Sequence, residues 1–220
     1  MDEPRNSFYW PVYADATFAG LAVLIPIPLL DMLLEWIFRN RMPAAIAGSR
    51  GKPLDRRIIR ELNRVEWTLA GCLLLPLKLV LVFLKRLYRT ILYFLTIKDA
   101  TDKLSLYWHR AFLIDHALRR GDLIELDRCH ASARTIQRLL EETRTSPVNQ
   151  LAGHVVSGAH HVLRAAFRRL RRGTEDEVSQ AANEQMGRGW TDLRGYFDDL
   201  AVKYDELLRE VRVMKRPGQQ

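Results

Sequence analysis

Cysteine is almost missing from this chain of 220 residues, where Cys72 and Cys129 are the whole complement. Two thiols cannot build a disulfide framework. Neither stands in a Cys-x-x-Cys or other metal-ligand spacing, so zinc ribbons and thioredoxin-like redox chemistry are disfavoured. The catalytic spacings Gly-x-Ser-x-Gly, His-Glu-x-x-His and Gly-x-Gly-x-x-Gly are absent too, and no Cys-His arrangement replaces them. Gly48-Ser49-Arg50-Gly51-Lys52 invites comparison with a phosphate loop, but only two residues separate the glycines where four are needed, and Pro53 stands where Ser or Thr should. Asp115, His116, Glu125, Asp127 and His130 lie close in sequence, yet the chain has no Glu-x-x-His, the motif a ferritin-like metal site requires twice, so a solvated polar face is expected there. A cationic leader is also lacking, since the chain opens Met1-Asp2-Glu3-Pro4, and no secretory signal is expected. These gaps argue against an enzyme, and they imply no cofactor and no metal.

What the chain does have is apolar and basic sequence. Its apolar fraction of 48% is ample for one large core or two small ones. The net charge of +8 is unevenly spread: residues 1–36 carry −4, residues 37–98 carry +10 and residues 99–220 carry +2. Arginine outnumbers lysine 27 to 7, which points to a high-GC bacterial source. The basic middle segment also holds a long hydrophobic run, and that combination favours a membrane surface over nucleic acid. His154, His160 and His161 precede a second cationic cluster, Arg164 to Arg172. Only Phe167 is there to stack on a base, so nucleic acid is disfavoured as a partner.

Two hydrophobic runs set the expected organisation. Residues 17–38 are long enough to span a bilayer core. Their twelve Leu, Ile, Val and Phe residues favour insertion by roughly −4 to −7 kcal/mol, while Asp31 and Glu35 each cost up to about +3. Pro26 and Pro28 should break any helix between Leu24 and Leu29. Residues 67–84 form the second run, interrupted by Pro76 and Lys78 and followed by Lys85, Arg86 and Arg89. Asp31, Glu35 and Lys78 are therefore candidate intramembrane polar residues. Between the runs, residues 54–66 read as a basic amphipathic helix with Arg57, Arg60 and Arg64 opposite Ile58, Leu62 and Val65. Phe8, Tyr9, Trp10, Tyr13, Trp36 and Trp67 gather at the ends of the runs, where aromatic rings favour the headgroup layer. Arg57, Arg60, Arg64, Trp67, Lys85, Arg86 and Arg89 are the expected lipid-binding residues.

The segment Leu24-Ile25-Pro26-Ile27-Pro28-Leu29-Leu30-Asp31 follows small apolar residues and precedes a basic helical stretch. It resembles the hydrophobic Pro-Ile-Pro hairpin of a bacterial domain family of unknown function, some members of which are attached to GTPases. The resemblance covers residues 16–65. Leu29 stands where such hairpins often have glycine, and no GTPase motif accompanies it. It implies membrane association and carries over no catalytic residue.

Beyond Asp99 the periodicity predicts a helical bundle. Helices are expected over 102–120, stopped by Gly121, over 122–143, over 146–172 with Ser146 as N-cap and Pro147 at the first position, and from a Thr174/Glu177 capping box to about Met214. The last carries a heptad seam that includes Trp190, Leu193, Phe197, Leu200, Tyr204 and Leu207. This seam is either an interaction surface for a partner or second copy, or part of the chain's own bundle. The expected fold is all-α: a membrane-associated hydrophobic hairpin region over 1–98, then a soluble bundle with a long C-terminal helix over 99–220. The expected function is that of a non-enzymatic scaffold or adaptor binding anionic lipids and a protein partner on the cytoplasmic face of a bacterial inner membrane. Two alternatives stand beside it: a small transport or proton-handling component using Asp31, Glu35 and Lys78, and a soluble, basic, all-helical binding protein.

Overall fold

The computed structural model describes residues 8–25, 30–64, 89–143, 146–157, 186–187 and 189–214, and among them every regular element is helical. The chain is all-α. Its principal helices are α1 (Trp10–Leu21), α2 (Leu30–Ser49), α3 (Arg56–Leu62), α4 (Arg89–Arg120), α5 (Leu126–Glu142) and α6 (Arg194–Met214), with a 3₁₀ turn over Ala22–Leu24 and a further helical stretch over 148–157.

Local sequence explains most of the boundaries. α1 carries Pro11 as its second residue, where a missing N–H is not needed. Pro26 and Pro28, where a break is expected, lie outside the described residues. Two stops use glycine in the left-handed region, at Gly51 (φ 64°) and Gly121 (φ 78°). At each, the next N–H reaches back five residues, from Lys52 to the Ala47 carbonyl and from Asp122 to the Ala117 carbonyl, both at 3.0 Å. The glycines near Lys52 therefore end a helix rather than cradle a phosphate. Asp55 caps α3 by accepting the Arg57 N–H at 2.7 Å. α4 begins well before Asp102, because residues 89–101 contain no proline or glycine to stop it.

One hydrophobic core runs from Trp10 on α1 to Leu208 on α6. α1 packs on both α2 and α4, and the described residues of the first apolar run are divided between α1, the 3₁₀ turn and α2, with the face of α1 in the core. No helix among the described residues is long and apolar enough to cross a membrane. The boundary expected at 98/99 likewise does not separate two cores, since Ala16, Ala19 and Leu21 share theirs with Leu104, Trp108 and Phe112. Trp10 and Tyr13, expected at the headgroup layer, are buried in this core. Tyr13 lies 4.4 Å from Trp190, which in turn packs on Trp108 at 5.5 Å and Phe197 at 4.6 Å. Rings satisfied by other rings have no need of headgroups.

The heptad seam is spent in the same core. Trp190, Leu193, Phe197, Leu200 and Tyr204 are buried against their own chain, as the second of the two readings of this row, packing in the chain's own bundle, requires. After Tyr204 the buried row continues at Leu208, while Leu207 is only partly covered. A spacing of four there follows the 3.6-residue helical period instead of the 3.5 of a coiled coil.

Buried acids tie the helices together. Asp15 on α1 is held by Arg41 on α2, with Nε to Oδ2 at 3.0 Å. Asp115 on α4 accepts from Arg50 at 2.8 and 3.1 Å and from Arg119. His116 and His130 are paired with Asp205 and Glu61 at 3.1 and 2.8 Å, and no group of residues fit to hold a metal ion is present among the described residues.

His109 is buried between α4 and α6. The Ser105 carbonyl can only accept, so Nδ1 carries the proton and donates at 2.7 Å, leaving Nε2 to accept from the Tyr196 hydroxyl at 2.8 Å. Burial pushes the imidazole down from 6.5 to about 4, although the Ser105 bond opposes this. The unfolded chain therefore takes up the proton first, and the stability His109 contributes above pH 6.5 is lost as pH falls toward 4. Between about pH 7.5 and pH 5 the loss should be about 2 kcal/mol. Unfolding curves of the wild type and His109→Gln should converge as pH is lowered through this window. Curves that stay parallel would dismiss the histidine as the source.

Candidate functional site

Two features of α2 stand side by side. Met32, Leu33, Trp36 and Ile37 are apolar yet 48%, 51%, 57% and 38% exposed. Their i, i+1, i+4, i+5 spacing places them on one side of the helix, and a grouped set of this size is unlike the scattered single apolar residues of an ordinary surface. Glu35 and Arg39 form the adjoining row, with Trp36 three residues before Arg39.

That row meets α4. Glu35 accepts from Lys103 Nζ at 2.7 Å and from the Tyr107 hydroxyl at 2.6 Å, and Asp99 lies 3.9 Å from the same lysine. Burial and the facing Glu35 carboxylate push the Tyr107 hydroxyl well above its ordinary pKa, so it remains a donor. Three residues along, Arg110 is 8% exposed, and its Nη2 donates to the Leu62 carbonyl and to Asn63 Oδ1, both at 2.9 Å. Burial, reinforced by the neighbouring Arg39, brings its guanidinium down to about 10, still charged at neutral pH. Arg39 Nε is buried with no hydrogen-bond partner. Among the described residues neither Arg39 nor Arg110 has a carboxylate.

These arginines line a cavity of about 620 Å³ where α2, α3, α4 and α5 meet, within the usual size of small-molecule sites. Arg39, Arg64, Lys103 and Arg110 bring four cations to its wall against the carboxylates of Asp102 and Glu141. Both acids are exposed, so the positive charge lies deeper than the negative. Leu62, Ile114, Ile136 and Leu140 supply apolar wall.

The residues picked out from sequence fare unevenly. Arg57 and Arg60 are exposed on α3, opposite buried Ile58 and Leu62, as the amphipathic pattern requires; Arg64 is exposed just beyond it, 3.8 Å from Glu61. Glu35 is committed to Lys103 and Tyr107, so it is not an unpaired member of a polar path. Asp31 is half-buried in the first turn of α2, where the helix dipole favours an acid, and its Oδ1 has no hydrogen-bond partner. Trp67, Lys78, Lys85 and Arg86 lie outside the described residues, and Arg89 is described only as the first residue of α4. Sequence reasoning passed over Arg39 and Arg110. Arg110 had a readable signal: it falls three residues after Tyr107 and four before Ile114, a cation in register with the buried face of its helix. Arg39 had none. Neither a known protein family, nor a curated protein, nor a solved structure matches this chain.

Proposed function

We propose that this protein is a non-enzymatic helical scaffold or adaptor that attaches to an anionic membrane surface and holds its bundle there for a protein partner. The exposed set Met32, Leu33, Trp36 and Ile37 carries the reading. A tryptophan flanked by aliphatic side chains suits the bilayer interface, where the indole keeps its N–H wet and its ring dry. The excess of +10 in residues 37–98 and the exposed Arg57, Arg60 and Arg64 supply complementary charge. Attachment through such a face is peripheral insertion, with no described helix crossing the bilayer. A partner would be met away from the α6 seam, whose side chains are already buried. The composition supports a bacterial source, and the cytoplasmic face of the inner membrane is the location this reading gives.

Flotation with vesicles of phosphatidylcholine and phosphatidylglycerol tests it. Leu33→Ser with Trp36→Ser should lower binding by about tenfold or more at any salt, because burying each side chain contributes about 1.5–3 kcal/mol. Changing Arg57, Arg60 and Arg64 together to Gln removes about 1 kcal/mol per charge near the surface, so binding should drop steeply at low salt and little at high salt. Binding that survives both sets of changes would defeat the reading.

A further inference from the structure

We propose that the cavity between α2, α3, α4 and α5 binds a phosphate-bearing amphiphile, with Arg39 and Arg110 holding the anionic head and Leu62, Ile114, Ile136 and Leu140 contacting the apolar part. The site does not depend on membrane attachment.

Three observations converge on it. Arg110 is among the most deeply buried charges described, at 8% exposure, and both of its hydrogen-bond acceptors are neutral oxygens. A buried guanidinium ordinarily faces a carboxylate, as Arg50 and Arg119 do at Asp115 in this same protein. Arg39 brings a second guanidinium to the same cavity with Nε buried and unpartnered, a rare condition for a polar group. Two like charges gathered in a low-dielectric wall repel each other, and an anion between them converts that repulsion into attraction. Lys103, another cation of the cavity wall, is already engaged by Glu35. The Arg64 side chain is largely exposed and sits by Glu61, which makes it a rim charge.

The chemistry of the ligand follows from the wall. A planar guanidinium presents paired N–H groups that match two oxygens of a phosphate. A small mineral anion would need only those groups, whereas this wall continues into leucine and isoleucine side chains from three helices. An apolar wall beside a buried pair of cations fits a ligand with an anionic head and a hydrocarbon or ring portion. Such a head can come from a bilayer lipid or from a free phosphorylated amphiphile.

Calorimetry on the full chain decides among these. Dihexanoyl phosphatidic acid, kept monomeric, should bind saturably, while inorganic phosphate and dihexanoyl phosphatidylcholine should bind at least about tenfold more weakly. Arg39→Gln should weaken the phosphatidic acid by about tenfold or more with little change in melting temperature, since no hydrogen bond to Arg39 Nε is lost. Arg110→Lys, which keeps the charge but loses the fork, should weaken it as well. Absence of saturable binding, an unaltered affinity in Arg39→Gln, or inorganic phosphate binding as tightly as the amphiphile would each overturn the proposal. Vesicles carrying phosphatidic acid separate the sources. Flotation that is lost in Arg39→Gln identifies a bilayer lipid, and monomer binding without any effect of Arg39→Gln on flotation identifies a free ligand; both uphold the site. Failure of the wild type to float, with monomer binding intact, removes the membrane reading alone.

Discussion

Replacing Asp115 with alanine should destabilise the protein by about 3–5 kcal/mol, more than any surface charge change. Its side chain is 1% exposed and receives Arg50 Nε and Nη2 at 2.8 and 3.1 Å, with Arg119 bonded from the next turn of α4. Arg50 follows the last turn of α2, so this carboxylate fastens the end of α2 onto α4. Removing it takes the shared carboxylate from two guanidiniums, one of them only 21% exposed, and breaking a buried ion pair from one side costs more than the pair was worth. For a chain of this length the melting temperature should drop by about 10 °C. Asp115→Ala combined with Arg50→Met should recover part of the loss, because the second change removes one of those guanidiniums. A fall of less than about 1 kcal/mol, or a double variant no better than the single one, would mean that the cluster is not what joins the helices.

Gly20→Ala should also destabilise, by about 3 kcal/mol, even though alanine is the better helix former by about 1 kcal/mol. A Cβ at this position would lie 2.5 Å from the Leu104 Cα and 2.9 Å from its amide nitrogen. Backbone cannot rotate aside as a side chain can, so α1 and α4 would have to part along a contact made close by fully buried Ala16 and Ala19. Gly48, in the last turn of α2, provides the opposite case. Nothing lies within 4 Å of its added Cβ, and Gly48→Ala should stabilise by about 0.5–1 kcal/mol through the lost freedom of the unfolded chain. Urea unfolding of the two variants should therefore give shifts of opposite sign. Shifts of the same sign would refute the close helix approach.

The local punctuation of the fold was legible in advance. Gly121 was readable as a stop because a residue without Cβ accepts the left-handed turn found there at no steric cost. The two sides of α3 were legible for the same kind of reason, since a spacing of three or four already says which residues share a face. The row from Trp190 to Tyr204 was visible as an apolar stripe, but the stripe alone did not say what covers it. In the folded chain, Phe8, Tyr13 and Trp108 cover Trp190, Phe112 packs on Phe197 and His116 on Tyr204, from positions far away in sequence.

By itself, then, the sequence determined an all-α chain, the C-terminal ends of α4, α5 and α6, the polarity of α3, and a basic middle segment. All of these depend on residues within a few turns of one another or on composition. Tertiary structure alone decided that the first part of the first apolar run enters the main core while Met32, Leu33, Trp36 and Ile37 stay exposed, that Glu35 is tied to Lys103 and Tyr107, and that Arg39 meets Arg110 across a cavity. Hydropathy reports how strongly a segment avoids water but not what replaces the water, and lipid or the aromatic face of another helix answers equally well. The arginine pair is invisible for a related reason. Periodicity ranks positions within one helix, whereas the distance between charges on α2 and α4 depends on how the two helices pack.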